Sequence, residues 1–144
     1  MKGLTATIGI CLLSAGSAFT QTLDLAPIGV PATIQAPSNV KTVPGDWSNL
    51  ITDDKNFNIS VEETSMTLED RKTEISANTE IKVVKSSANG FIYTENLMGR
   101  ELAHFEYIVS VQGIGYRFYD KRVNPLDVAG ILPMYDAVLT LKAK

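Results

Sequence analysis

One cysteine and one histidine occur in 144 residues, and each scarcity excludes a kind of chemistry. The lone thiol, Cys11, cannot form an internal disulfide and sits in the extreme N-terminal stretch, so the rest of the chain is stabilised by packing alone. The lone imidazole, His104, cannot supply the paired-histidine spacing of a zinc site, and no Gly-x-Ser-x-Gly elbow presents a serine to it. A phosphate-cradling glycine pattern is also missing, since Gly113 and Gly115 bracket a hairpin, where turn geometry accounts for them. The sequence therefore predicts no catalytic set, no cofactor and no metal centre.

An excess of positive charge is missing too. Lys and Arg number 13 against 16 Asp and Glu, the wrong sign for a nucleic-acid partner, whose phosphates need a basic face, and for a polybasic membrane-surface device. Nor does any apolar run reach the ~20 residues of a spanning helix.

What is present begins at the N-terminus. Met1 and Lys2 precede an uncharged run from Gly3 to Ala18 that ends in Ser14, Ala15, Gly16, Ser17 and Ala18. A basic start, a short apolar stretch and a small-residue exit describe a secretory signal peptide over residues 1–20, and predict export to the periplasm or beyond. Cys11 has too little apolar sequence before it for a lipid-attachment site and reads as a small hydrophobe of the leader. Loss of Lys2 with the leader leaves 12 basic against 16 acidic side chains.

Residues 21–45 hold four of the six prolines, Pro27, Pro31, Pro37 and Pro44, with no helical or strand period. Proline lacks the amide proton and restricts its predecessor, so this stretch reads as an extended tether. Its apolar Leu23, Leu25, Ile28, Val30 and Ile34 leave room for part of it to lie against the domain.

The folded domain is then expected over 46–144, with Trp47 as its first large anchor. Phe57, Ile59 and Val61 alternate with polar neighbours, a strand with one buried face. Thr67 offers a cap, with Glu69 and Asp70 in the first turn, so a helix is predicted from about Leu68 to Asn78. A meander follows, with turns at Asn89-Gly90, Met98-Gly99 and Gly113-Ile114. Two-residue loops there pair Ala88 with Phe91, Leu97 with Arg100, and Gln112 with Gly115. Asn124-Pro125 opens the last element, read as a short turn and then a helix from about Pro133 to Lys142.

That order, β-α-β-β-β-β-α, predicts an α+β domain with helices packed on an antiparallel meander. The predicted register puts Ile81, Val83, Ile92, Phe105, Tyr107 and Phe118 on the main core face. The opposite face gathers Val84, Phe91, Tyr93, His104, Ile108 and Tyr119 with Lys82, Glu95, Glu106, Ser110 and Arg117, too apolar to be simply wet. Either a helix or the tether covers it, or it is a recognition surface. Phe91, Tyr93, His104, Arg117 and Tyr119 are the candidate binding residues, with Tyr93 expected opposite His104 and Tyr119 opposite Ile108. His104 and Glu106, two apart on one strand face, are the only candidates for acid/base work. Asp53, Asp54, Asn56 and Asn58 lack calcium-loop spacing and read as a solvated loop. Asn58-Ile59-Ser60 matches the glycosylation triplet inside an expected strand.

With Gly45-Asp46-Trp47 and Phe57-Asn58-Ile59-Ser60-Val61 at its entrance and a helix at its close, the order of elements resembles the Mog1, PsbP and DcrB superfamily of α/β/α sandwiches. The stretches Ser65 to Lys72 and Gly90 to Tyr93 are similar to those of small uncharacterised bacterial envelope proteins. Both resemblances imply accessory work on other proteins. The expectation is thus an exported, non-catalytic module that binds another envelope or secreted protein, with no nucleic-acid partner and no membrane span after leader removal. The alternative is a small periplasmic ligand-binding protein or hydrolase using His104 and the neighbouring tyrosines.

Overall fold

A computed structural model describes residues 19–144; the expected signal peptide falls almost wholly outside them. The chain order is β1 (Gln21–Asp24), a 3-10 turn (Ala26–Ile28), β2 (Ala32–Ala36), β3 (Lys41–Val43), β4 (Asn49–Thr52), β5 (Asn58–Glu63), α1 (Leu68–Ser76), β6 (Ile81–Ser86), β7 (Gly90–Leu97), β8 (Arg100–Val111), β9 (Ile114–Asp120), α2 (Val128–Leu139) and β10 (Lys142–Ala143). The class is α+β, with two α-helices and two antiparallel sheets among the described residues. The larger sheet runs β3-β4-β5-β9-β8-β7-β6 and the smaller β1-β2-β10.

The proline-rich segment is not a tether. Leu25, Val30, Ala32, Ile34 and Ala36 are at most 1% exposed and belong to the same core as Ile59, Phe105 and Phe118. The prolines sit between short strands: Pro27 opens the 3-10 turn, while Pro31 and Pro37 flank β2. There a missing amide proton costs no ladder bond. Trp47, conversely, is 95% exposed and anchors nothing.

α2 lies against β8 of the large sheet and against β2 of the small one, and all three contribute to one hydrophobic core. Tyr135 of α2 is fully buried, its ring edge-on to Phe105 at 6.0 Å and its hydroxyl 2.6 Å from Ser87 Oγ. Asp127 caps α2 by accepting from the Gly130 amide, and the helix runs through Pro133 rather than starting there.

α1 serves the opposite face. Its capping box joins Thr67 Oγ1 to the Asp70 amide and Asp70 Oδ2 to the Thr67 amide, both at 3.0 Å. Leu68 and Ile75 then pack, with Ile81, on Phe91 and Tyr93.

The hairpins set the register of that second face. Met98-Gly99 makes the expected turn, with φ of 53° and 79° and Leu97 paired to Arg100. The next turn is Gln112-Gly113, one residue earlier than expected, so Val111 pairs with Ile114 and Tyr119 opposes Glu106, not Ile108. Asn89-Gly90 makes no primed two-residue turn, because neither residue has positive φ; Ser86 pairs with Phe91 instead of Ala88. Gly90 answers a close approach: a Cβ there would lie 2.5 Å from the Glu106 carbonyl oxygen. A bulge between Val83 and Lys85 then inverts the pairing parity, carrying Ile81 and Val83 away from the main core face.

Candidate functional site

The meander brings Phe91, Tyr93, His104, Arg117 and Tyr119 onto one face, as the alternation of side chains requires. Tyr93 stands opposite His104, as expected, with ring centroids 5.2 Å apart. Phe91 is fully buried under α1, Tyr93 is 2% and His104 6% exposed, while Arg117 and Tyr119 are half-buried. The face thus divides. α1 covers Phe91 and part of Tyr93, and a cleft of about 430 Å³ opens over the remainder towards β5 and the segment after β9.

Glu106 organises the cleft. Its carboxylate is 2% exposed yet accepts from Arg71 Nε at 2.8 Å, Arg117 Nε at 2.8 Å and Arg117 Nη2 at 2.7 Å. The Arg117 pair is bidentate, the geometry in which a guanidinium and a carboxylate bind most strongly. Arg117 Nη1 continues to Glu62 Oε1 at 3.1 Å, and its guanidinium carbon lies 4.1 Å from the Tyr119 ring centre. Arg71 Nη1 pairs with Glu74 at 3.0 Å. The hydrogen bonds that Arg117 donates to Glu106 raise its pKa above the ordinary value. Burial opposes the charge of Arg71, but Glu106 outweighs it and the shift is again upward. Both guanidiniums are fixed cations.

Tyr93 Oη accepts from Arg71 Nη2 at 3.4 Å and Arg122 Nη2 at 3.3 Å. Burial raises its pKa, so the phenol stays neutral. Arg122 and Lys121 form the outer rim. The Arg122 side chain is 61% exposed and reaches Glu95 only at 4.0 Å, and Lys121 has no ion pair among the described residues. The inner cations are therefore neutralised and locked, and the rim cations are left to solvent.

His104 lies beside the cleft. Its Nδ1 is 2.7 Å from Asp120 Oδ2, and Asp120 Oδ1 accepts the Phe105 amide at 2.9 Å. Asp120 thus fixes the ring through Nδ1, which leaves Nε2 as its second polar atom. That atom is buried without a hydrogen-bond partner among the described residues, a condition that costs roughly 1–3 kcal/mol. His104 also lines a second cavity of about 230 Å³, under the segment that joins β9 to α2, which shares Asp120 and Arg122 with the cleft. Glu95 Oε2 lies 3.6 Å from Nε2.

Sequence reasoning paired His104 with Glu106 for acid/base work; the structure separates them. Glu106 is held by Arg71 and Arg117, and the imidazole takes Asp120 instead. Arg71, Asp120 and Arg122 were missed. Arg71 reaches across from α1, 35 positions from Glu106, and no local pattern signals such a distance. Among the described residues no group of three or more His, Cys, Asp or Glu side chains is disposed to hold a metal. Asp53 instead accepts from the Lys55 and Phe57 amides of its own loop.

No protein-family model matches the chain, and neither does any curated protein. Among solved structures it is similar to a protein of Bacteroides thetaiotaomicron VPI-5482, crystallised and solved at 1.50 Å, with 14% identity and a TM-score of 0.45. That match covers 81% of this chain and 47% of the other, so the chain spans about half the length of the protein it matches.

Proposed function

We propose that this chain is an exported, non-catalytic binding module that uses the arginine-lined cleft to hold an acidic segment of another envelope or secreted protein. The observation that carries the reading is the division of charge in the cleft. Glu106 locks Arg71 and Arg117, which leaves rigid aromatic and guanidinium walls, while Lys121 and Arg122 stand at the rim. Rigid walls lose little entropy on binding, and unspent rim cations attract a carboxylate-bearing partner. Export rests on the leader sequence, and an accessory role agrees with what the Mog1, PsbP and DcrB resemblance implies.

The test is cross-linking and co-purification of the tagged mature chain from its native envelope fraction, beside a Lys121→Glu, Arg122→Glu variant. Both side chains are exposed, but Arg122 also donates to Tyr93 Oη, so the comparison is made at a temperature where melting shows both proteins folded. A partner captured by the wild type and lost in the variant supports the reading; a partner kept by the variant, or none at all, overturns it. Alanine at Tyr93 or His104 would confound binding with unfolding, since both are buried.

One observation favours the alternative of a ligand-binding protein or hydrolase: His104 Nε2 is buried without a hydrogen-bond partner among the described residues. The hydrolase form lacks a nucleophile, because no hydroxyl lies within hydrogen-bond distance of that nitrogen among the described residues. It predicts a hydrolytic activity that His104→Gln abolishes with melting unchanged, and equal activity in the variant would end it.

A further inference from the structure

We propose that the cavity under the segment joining β9 to α2 receives one large apolar side chain of the acidic segment held in the cleft, so that the partner is recognised by a leucine-sized residue flanked by carboxylates. This rests on the cleft reading and names the kind of sequence the cleft takes. Cleft and cavity share Asp120 and Arg122 as walls, so one extended chain can occupy both. Leu97, Leu102, Val123, Pro125 and Leu126 make most of the cavity wall apolar. Leu97 and Val123 are nevertheless 53% and 54% exposed, and Met98, in the adjoining turn, is 98% exposed. Apolar side chains left in water around a hollow with a polar rim mark a contact surface.

The cavity is held open by backbone bonds. The Met98-Gly99 turn sets Leu97 opposite Arg100, and the Ala103 amide donates to the Leu126 carbonyl at 2.8 Å, which pins the covering segment to β8. Walls fixed in this way lose little entropy on binding. The space of about 230 Å³ falls below the roughly 300–1,000 Å³ of pockets that hold free ligands, and suits a side chain delivered by a longer chain. Charge sorts the two parts of that chain. Glu95 on the cavity wall repels a carboxylate, and Asp120 is already bonded to His104 Nδ1 and the Phe105 amide. The acidic groups therefore stay with Lys121 and Arg122 in the cleft, and an uncharged side chain enters the cavity.

The test follows the Leu102 and Leu126 methyl resonances of the methyl-labelled mature chain. Four probes are titrated: the pentapeptide acetyl-Asp-Glu-Leu-Glu-Asp-amide, the same peptide with alanine at its centre, the leucine peptide with lysine at all four flanking places, and hexanoate. The expected result is a saturable shift with the acidic leucine peptide, at an affinity about tenfold above that of the alanine peptide through burial of the larger side chain. Leu97→Ser, Val123→Ser should abolish that preference; both side chains are exposed, so the rest of the spectrum should remain that of the folded protein. A preference that survives in the variant, leucine and alanine peptides that bind alike, or no saturable shift overturns this proposal alone, since the cleft reading asks only that Lys121 and Arg122 capture an acidic protein. A lysine-flanked peptide that binds equally well overturns both. Hexanoate binding as tightly as the leucine peptide overturns the docked segment and makes the cavity a small-molecule site.

Discussion

At the scale of the residue, Glu106 is the side chain on which the second sheet face depends. Its loss leaves the Arg71 and Arg117 guanidiniums, whose side chains are only 15% and 19% exposed, with only the more exposed carboxylates of Glu74 and Glu62. Breaking a buried pair from one side costs about 3–5 kcal/mol. Glu106→Ala should therefore lower unfolding free energy by that amount in a denaturant titration, and a loss below about 1 kcal/mol would show that the guanidiniums find other partners. Asp70 carries a pH dependence of known sign. Hydrogen bonds from the Thr67 backbone and side chain hold its carboxyl below the ordinary carboxylate range. A depressed folded value means a contribution present above the unfolded value and lost as pH falls through the folded one. Protection factors of the α1 amides, measured against intrinsic exchange at each pH, should thus fall as the pH drops below the usual carboxylate range, and Asp70→Asn should remove that dependence. Identical exchange profiles in the two proteins would refute it.

At the scale of the element, α2 contains its own defect. Pro133 sits in the sixth position of a helix from Val128 to Leu139, where it leaves the Ala129 carbonyl without its amide partner. Alanine is favoured over proline in a helix interior by about 3 kcal/mol, and the greater freedom of the unfolded chain returns up to about 1 kcal/mol of that. Pro133→Ala should stabilise the protein by roughly 2–3 kcal/mol, read as a rise in melting temperature; a fall would mean that the ring packs at the rim it shares with Phe57 and Gly130. The same proline shows where sequence reading succeeds and stops. Period and caps located α1, β5 and β7 to β9 closely, and the Leu97 to Arg100 turn was legible because Met98-Gly99 must take positive φ at both residues. Proline read as a breaker hid the first turn and a half of α2. Asn89-Gly90 misled because Gly90 is needed for its closeness to the Glu106 carbonyl, not for its φ. Tyr119 still reached the predicted face, since moving its turn by one residue shifts the partner by two and keeps the parity.

At the scale of the whole molecule, the proline-rich residues 25–40 supply part of the core. Ile34 is fully buried between the small sheet and α2, so Ile34→Ala should cost about 2–5 kcal/mol, where a tether would tolerate it freely. Chemical denaturation decides between them. The incorporation of this segment was illegible because strands of three to five residues broken by prolines carry too little period to register, and because their partners are distant. The Tyr93 and His104 pairing, by contrast, followed from local turns alone.

The most distant of those partnerships has a kinetic consequence. Lys142 and Ala143 complete the small sheet by pairing with Thr33 and Ala32, and Thr140 Oγ1 accepts the Gln35 amide across 105 positions. Such a closure must be reached by diffusion over nearly the whole chain before any bond rewards it. Refolding should accordingly fall in the slow regime of non-local topologies, on the order of milliseconds to seconds, with β10 docking in the last phase. A stopped-flow trace in which Lys142→Pro spares the early amplitude and delays only the final one would make the sheet of β1, β2 and β10 the clasp that closes after everything else has formed.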